Sequence, residues 1–248
     1  MTVVPYKNAS TGKKVQVEQM FDKISRRYDF LNHLLSLNID KIWRRNAVKL
    51  LEDFQPDSIL DIATGTGDFA LSAVRLKPSR IIGIDLSEGM LEIGREKIKR
   101  RGLEQTIELI KGDSEALPFE ENSFDAAIVA FGVRNFENLK EGLAEIYRVI
   151  KPGGGFVVLE FSQPRAALFR KFYFFYFTRL LPLLGQLVSK DKNAYLYLPE
   201  SVKEFPDGEE FISILKQGGF QNARCFPQTF GISSIYTAQK PKKTNEKQ

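Results

Sequence analysis

A single cysteine and a single histidine in 248 residues leave few kinds of metal or thiol chemistry open. Cys225 has no partner for an intramolecular disulfide, and no stretch reads as a signal peptide, so a reducing cytosol is predicted. His33 and Cys225 are too few for a His/Cys metal cluster, and no metal ligand is assigned; only an all-carboxylate magnesium site stays open. A linker that would split the chain is also missing. With 43% hydrophobic residues the sequence fits one sizeable core, predicted as a single domain over 15–240, with flexible polar or basic tails at 1–14 and 241–248.

The 36 Lys and Arg outnumber the 31 Asp and Glu, giving a net charge of +5, but they are scattered. They do not cluster with stacking aromatics, so nucleic acid is not expected as a partner and a membrane surface is. No uninterrupted apolar run is long enough to span a bilayer. The densest stretch, 169–188, holds Phe169, Phe172, Tyr173, Phe174, Phe175, Tyr176 and Phe177 but is broken by Arg170, Lys171, Arg179 and Pro182. It suits an interface or a substrate cover, predicted as an inserted segment over 165–205; a buried core helix is the competing reading.

Against these absences stands a regular alternation. Strand-like runs at 58–62, 80–86, 106–111, 124–131 and 155–161 are separated by helical patterns, which argues for parallel strands joined by crossover helices. The stripe Leu139, Leu143, Ile146, Tyr147, Ile150 is one such helix, ended by Lys151-Pro152-Gly153-Gly154-Gly155. Two further runs, 220–229 and 232–238, are parted only by Phe230-Gly231 and must pair antiparallel. The fold predicted is α/β: one doubly wound, mostly parallel, seven-stranded sheet with an N-terminal helical cap over 15–52.

The run Asp61-Ile-Ala-Thr-Gly65-Thr66-Gly67-Asp68 closes the first strand and opens a helix. Glycine there allows a tight turn and close approach of a ligand to the backbone. Gly65-Thr66-Gly67-Asp68-Phe69-Ala70 also fits the pattern of dinucleotide binders, with Asp85 about 20 residues on. Charge separates the two. A pyrophosphate would lie against the helix N-terminus, where Asp68 stands, and Asp61, Asp85 and Asp113 close neighbouring strands. A ring of carboxylates suits a ligand with positive charge and ribose hydroxyls, as in S-adenosylmethionine; capping of turns and helices is the competing role for Asp61 and Asp68. Asp85 precedes Ser87, a predicted N-cap, and sits where a ribose diol is held in such sheets.

An N-terminal helical stripe of Val17, Met20, Phe21, Ile24, Tyr28, Leu31 and Leu35 is mainly packing, yet it ends in the polar Tyr28, Asp29, Asn32 and His33. The segment from Phe21 to His33, followed by Trp43-Arg44, resembles the N-terminal signature of the menaquinone/ubiquinone biosynthesis C-methyltransferases. Ala130-Phe-Gly-Val-Arg134-Asn135-Phe136, Tyr147-Arg-Val-Ile-Lys-Pro-Gly-Gly154, Leu159-Glu-Phe-Ser-Gln-Pro164 and Tyr195-Leu-Tyr197-Leu-Pro-Glu-Ser201 agree with it. The resemblance runs from about Val15 to Lys240. The glycine loop and the Lys-Pro-Gly-Gly turn are widely shared, whereas Phe-Gly-x-Arg-Asn and Leu-Glu-Phe-Ser are narrow. One stretch departs: where the family has Ser-x-Gly-x-His, this chain has Ser36-Leu-Asn38-Ile-Asp40. Asn38 can take a glycine's positive φ, but Asp40 cannot act as a histidine.

The resemblance implies a Rossmann-like class I methyltransferase that moves a methyl group from S-adenosylmethionine to a ring carbon of a polyprenylated quinol, such as demethylmenaquinol. It implies a cofactor site at Asp61, Gly65, Thr66, Gly67, Asp85, Asp113, Ser114, Ala130 and Tyr28. Arg134, with Asn135 as its orienting partner, would stabilise a developing phenolate; a structural ion pair is the alternative for Arg134. His33 alone has an unperturbed pKa suited to a base near neutrality. Tyr197 is a further ring or cofactor contact. Such an enzyme would be peripheral at the inner face of the cytoplasmic membrane, and the oligomeric state is left open. A nicotinamide-dependent oxidoreductase and a non-catalytic lipid-binding scaffold are the alternatives. Titration of intrinsic fluorescence separates them: S-adenosylmethionine should give a saturable response and NADH none, and tight NADH binding would overturn the charge argument.

Overall fold

The computed structural model describes residues 3–36, 38–165 and 192–242. Its centre is a seven-stranded sheet: β1 (Ser58–Ile62), β2 (Arg80–Asp85), β3 (Ile107–Lys111), β4 (Phe124–Ala130), β5 (Ile150–Phe161), β6 (Gln221–Gln228) and β7 (Ser233–Gln239). The order is β3-β2-β1-β4-β5-β7-β6, in which the first five strands run parallel and β7 is antiparallel to both β5 and β6. All five residues of β1 are buried, as expected of a strand covered on both faces.

The pleat divides the core. Leu60, Ile62, Val129, Phe156 and Val158 face one apolar layer with Leu143, Ile146, Phe211 and Phe220. Ile59, Ile128, Val157 and Leu159 face the other, against Trp43, Val48, Phe69 and Leu91. The first layer is roofed by α5 (Leu139–Val149) and α7 (Glu209–Gln217), the second by α2 (Ile39–Leu51), α3 (Asp68–Ala73) and α4 (Glu88–Arg100). Each fully buried aliphatic or aromatic side chain contributes about 1.5–3 kcal/mol.

Most strand boundaries lie within a residue of expectation, and the large difference is at β5. Ile150 ends no helix; it pairs with Phe124 as the first residue of β5, and the next pair is Ala126 with Gly155. The Lys-Pro-Gly-Gly residues are therefore an irregular excursion within the strand. Gly153 takes φ 85°, and a Cβ on Gly154 would lie 2.5 Å from the Asp125 carbonyl oxygen.

The cap consists of α1 (Lys13–Leu35) and α2, joined through Asn38 at φ 61°, the left-handed geometry its side chain tolerates. Val17, Met20 and Ile24 pack α1 against Ala194 and Tyr197 of α6 (Lys192–Glu204). The N-terminal residues, expected as a flexible tail, are tied down from Val3 onward: Pro5 is buried, the Tyr6 amide donates to Gln16 at 2.8 Å, and Lys7 meets Glu200 at 2.8 Å. They fold back because Val3 and Tyr6 cover the apolar edge of α1. The aromatic run 169–188 lies outside the described residues. Phe156, stacked on Phe220 at 5.3 Å, tests the core: Phe156→Ala should cost about 3–5 kcal/mol in urea unfolding without changing the fold.

Candidate functional site

Strand order reverses direction between β1 and β4, and a cleft opens there beyond their carboxyl ends, where α/β sheets bind ligands. Ala63 after β1 and Phe131 after β4 both take left-handed φ values, 51° and 57°, and both line the cleft. Such strain in non-glycine residues persists where surrounding structure enforces it, and functional sites concentrate it. The cleft and its open mouth together hold about 680 Å³ of space between protein atoms. Gly65, Asp85, Ser114 and Ala130 form its floor, and Lys14, Val17, Glu18, Phe21 and Tyr28 of α1 form a roof; of these Tyr28 is expected at the cofactor, while Val17 and Phe21 belong to the stripe read as packing.

The glycine turn has the expected form. Gly67 at φ 77° precedes α3, and the Gly67 amide donates to the Thr64 carbonyl at 2.9 Å. Gly65 at φ 56° has nothing within 4 Å of where a Cβ would stand, so its backbone is open to a ligand. Asp85 holds the turn: its carboxylate accepts from the Gly65 amide at 2.8 Å and the Ser87 amide at 2.9 Å. Burial raises its pKa against those bonds. Ser87 caps α4 as predicted, accepting from the Met90 amide at 3.2 Å.

The expected ring of carboxylates is not what the fold builds. Of its members only Asp85 lines the cleft. Asp68 turns to Lys97 of α4, and Asp113 pairs with Lys14 at 2.6 Å. Asp61 lies wholly buried beneath the turn, where it accepts from the Thr64 hydroxyl at 2.6 Å and the Ala70 amide at 2.9 Å. The reason is long-range pairing: acids near the helix start are neutralised by cations from other elements. The cleft is nevertheless acidic, because Glu18, Glu115 and Glu137 line it beside Asp85, with Lys14 the one cation among its described lining residues. Asp61 Oδ1 has no hydrogen-bond partner.

Thr66 contacts no ligand space; it is buried and donates to Asp29 of α1 at 2.6 Å. Lys97 donates to Asp29 at 2.9 Å and Thr66 at 3.0 Å as well as to Asp68. His33 is not at the cleft either. Its Nδ1 lies 3.0 Å from Asp40 and its Nε2 3.6 Å from Asp68, so both ring nitrogens already face carboxylates. Asp40 in turn meets Arg44 and accepts from the Ser36 hydroxyl at 2.6 Å. Burial acts to raise both acids, but Ser36 and Arg44 outweigh it at Asp40, and Lys97 and Arg44 at Asp68, leaving each below the usual range. The residue that replaces the family's histidine is thus a structural anchor.

Arg134 follows β4 in a short turn and is buried against Glu160, 2.7 Å away at the end of β5. Its guanidinium also lies 5.5 Å from the Phe161 ring centre. The ion pair foreseen as its alternative role is real, yet its Nε has no partner in the protein. Arg134 lines a second cavity with Lys13, Ser201 and Glu204, next to the first. Asn135 lines the first cleft; its amide donates to the Phe131 carbonyl at 3.3 Å and accepts from the Tyr197 hydroxyl at 3.1 Å. Burial pushes the Tyr28 phenol up and that of Tyr197 up to about 12, which keeps both protonated near neutrality.

This arrangement separates the cleft from a dinucleotide site. The usual dinucleotide sheet has the order 3-2-1-4-5-6, whereas here antiparallel β7 is inserted beside β5, and the lining offers acids where a pyrophosphate would need donors. The fold and cleft are those of the S-adenosylmethionine-dependent methyltransferases. A solved S-adenosylmethionine-dependent methyltransferase from Thermotoga maritima shares the fold with a TM-score of 0.62 at 22% identity, covering 90% of this chain and 99% of its own. Sequence narrows the class: the model of the ubiE/COQ5 methyltransferase family matches residues 8–240, and the chain belongs to that family. A demethylmenaquinone methyltransferase of Bacteroides fragilis is 48% identical over 240 residues, 96% of this chain and 97% of that protein. The ubiquinone/menaquinone biosynthesis C-methyltransferase UbiE of Geobacter sulfurreducens is 47% identical over 232 residues, 93% and 90% of the two chains. S-adenosylmethionine is the cofactor, and the open Gly65 backbone, the Asp85 carboxylate and the acidic lining fit its ribose and its cationic groups.

Burial raises the Asp61 carboxyl from 3.8 to about 7 against the bonds from Thr64 and Ala70. The folded state therefore holds a proton that the unfolded chain releases, so this group's contribution to stability falls as pH rises from 3.8 to about 7. In ligand-free urea unfolding, Asp61→Asn should remove that slope, so the variant gains on the wild type across this window. A difference between the two that stays constant with pH would refute the assignment.

Proposed function

We propose that this methyltransferase acts on the ring carbon of a polyprenylated quinol and converts demethylmenaquinol to menaquinol. The observation that carries the reading is Arg134: a buried guanidinium whose Nε–H lacks an acceptor, beside the cleft wall. An unmade buried hydrogen bond costs about 1–3 kcal/mol, a cost recovered when the guanidinium shifts to meet a substrate oxygen. The names of the Bacteroides and Geobacter relatives support the same substrate class. No feature of the cleft favours a nicotinamide or a purely structural role.

Bound S-adenosylmethionine supplies a methyl group on a positively charged sulfur that leaves as a neutral thioether. The residues of the chain act on the other partner. The quinol gives up its phenolic proton to solvent, and Arg134 stabilises the phenolate that results. As the ring carbon takes the methyl, the phenolate oxygen becomes a carbonyl, and loss of the ring C–H proton with return of a proton to oxygen restores the aromatic quinol. Glu160 and the Phe131 carbonyl hold the guanidinium through Nη1. Asn135, fixed between Phe131 and Tyr197, orients the ring's oxygen. Tyr197 donates a hydrogen bond to Asn135, and both Tyr28 and Tyr197 stay protonated near neutrality and so cannot serve as bases. Phe131 and Phe161, with ring centres 4.5 Å apart, provide an apolar wall for a flat ring. The α1 roof excludes water, and alignment of carbon and methyl under it can account for about 7–11 kcal/mol of the barrier.

Because a prenylated substrate resides in a bilayer, peripheral attachment to a membrane is part of this reading; among the described residues no helix is long and apolar enough to cross one. Arg134→Ala should lower kcat by roughly 10²–10³-fold while S-adenosylmethionine affinity stays within a few-fold. The reduced naphthoquinol should accept labelled methyl and the oxidised quinone should not. A quinone profile of cells lacking the gene decides the ring: accumulated demethylmenaquinone supports the proposal, and an accumulated benzoquinol precursor moves the substrate to the ubiquinone branch.

A further inference from the structure

The outward face of α2 carries Lys41, Ile42, Arg45 and Lys49, all exposed, whereas Trp43, Arg44, Ala47, Val48 and Leu51 of the same helix are buried. At 100° per residue the exposed set falls within one third of the helix circumference. The three cations make no ion pair with a described residue. Of the acids nearest in sequence, Asp40 is buried against Arg44, and Glu52 and Asp53 lie beyond the far end of the helix, where Glu52 faces Arg75. Ile42 is 52% exposed in the middle of this basic surface.

A second apolar tip stands beside it. The Trp43 indole donates to the Thr229 hydroxyl at 2.8 Å, and Asn46, one turn on from Ile42 along the same face, donates to Gln228 at 2.9 Å. These bonds fix α2 against the β6–β7 turn, where Thr229, Phe230 and Gly231 take φ values of 43°, 58° and 87°. Three successive left-handed residues, one of them β-branched, are a strained way to turn a chain. The turn presents Phe230 77% exposed. Ser233 pairs with Phe161, the last residue of β5, so the turn lies at the same carboxyl edge of the sheet as the cofactor cleft.

We propose that the basic face of α2 and the Phe230 turn together form the surface that docks on an anionic lipid bilayer. Lys41, Arg45 and Lys49 meet the negative headgroups, and Ile42 and Phe230 enter the boundary beneath them, the division of labour of interfacial helices. Docking by this edge turns the cleft toward the bilayer in which a prenylated quinol resides. That purpose rests on the quinol reading, but the binding itself does not.

The test uses the full-length protein and extruded vesicles of phosphatidylcholine, with and without phosphatidylglycerol, in a sedimentation assay without substrate. Wild type should pellet with the anionic vesicles at low salt, stay in solution with the neutral ones, and detach as salt is raised. Lys41→Gln, Arg45→Gln and Lys49→Gln combined should bind roughly 100-fold more weakly, and Ile42→Ser with Phe230→Ser should also lose binding. All of these variants should methylate a short-tailed, water-soluble quinol at the wild-type rate, which shows that they are folded. Unchanged vesicle binding by either variant overturns the proposal, as does self-association of wild type through this face in place of vesicle binding. Failure of the wild type to methylate the soluble quinol would instead count against the substrate assignment.

Discussion

Lys97 reaches out of α4 and donates to Asp29, Thr66 and Asp68 at once, so one ammonium joins the cap, the glycine turn and the start of α3. Three elements far apart in sequence meet at that point, and the cleft takes its shape from the meeting. Without a cation there, Asp29 and Asp68 would repel, and α1 would lose its hold on the glycine turn. The contact continues on both sides. Toward α2 it passes through His33 to Asp40 and Arg44; along α1 it passes to Asp22, which accepts from the Ser87 hydroxyl at 2.5 Å, and to Glu18, which faces Lys111 at 2.8 Å. Polar contacts thus fasten one side of α1, and apolar packing on α6 holds another.

The cleft divides its duties along the sheet. Turns after β1, β2 and β3 supply the glycine backbone, Asp85 and Ser114, which are contacts suited to a nucleoside. The turn after β4 and the end of β5 supply Asn135, Arg134 and Glu160, which are suited to a polar ring edge. Strand order reverses between these halves, which sets the glycine turn and the Asn135 turn on opposite sides of one cleft.

Much of this was legible from the chain because it depends on short-range pattern. The buried runs of β1, β2 and β4 are mostly contiguous and apolar, Gly65 and Gly67 sit where a tight turn is required, and Asp85 stands at a strand end; all lie as read. What could not be read is pairing across distance. The partner of Asp113 comes from Lys14, at the very start of α1, and the partner of Asp68 from the third turn of α4, so counting acids near the loop overstated the negative charge facing the ligand. His33 seemed available as a base only while Asp40 and Asp68 were out of view. The left-handed backbone at Ala63 and Phe131 leaves no trace in residue type at all.

The two outer strands also decide how copies of this molecule can meet. At one side β3 is short and carries exposed Glu108 and Lys111, while Arg95 of α4 donates to its Leu109 carbonyl at 3.3 Å. At the other, β6 shifts register between Gln221 and Arg224 and contains Pro227, which has no N–H to offer. Edges broken in this way discourage strand addition, the usual route from an exposed sheet to an aggregate. A chain so rich in apolar strands can therefore stay apart from its copies even when they are concentrated.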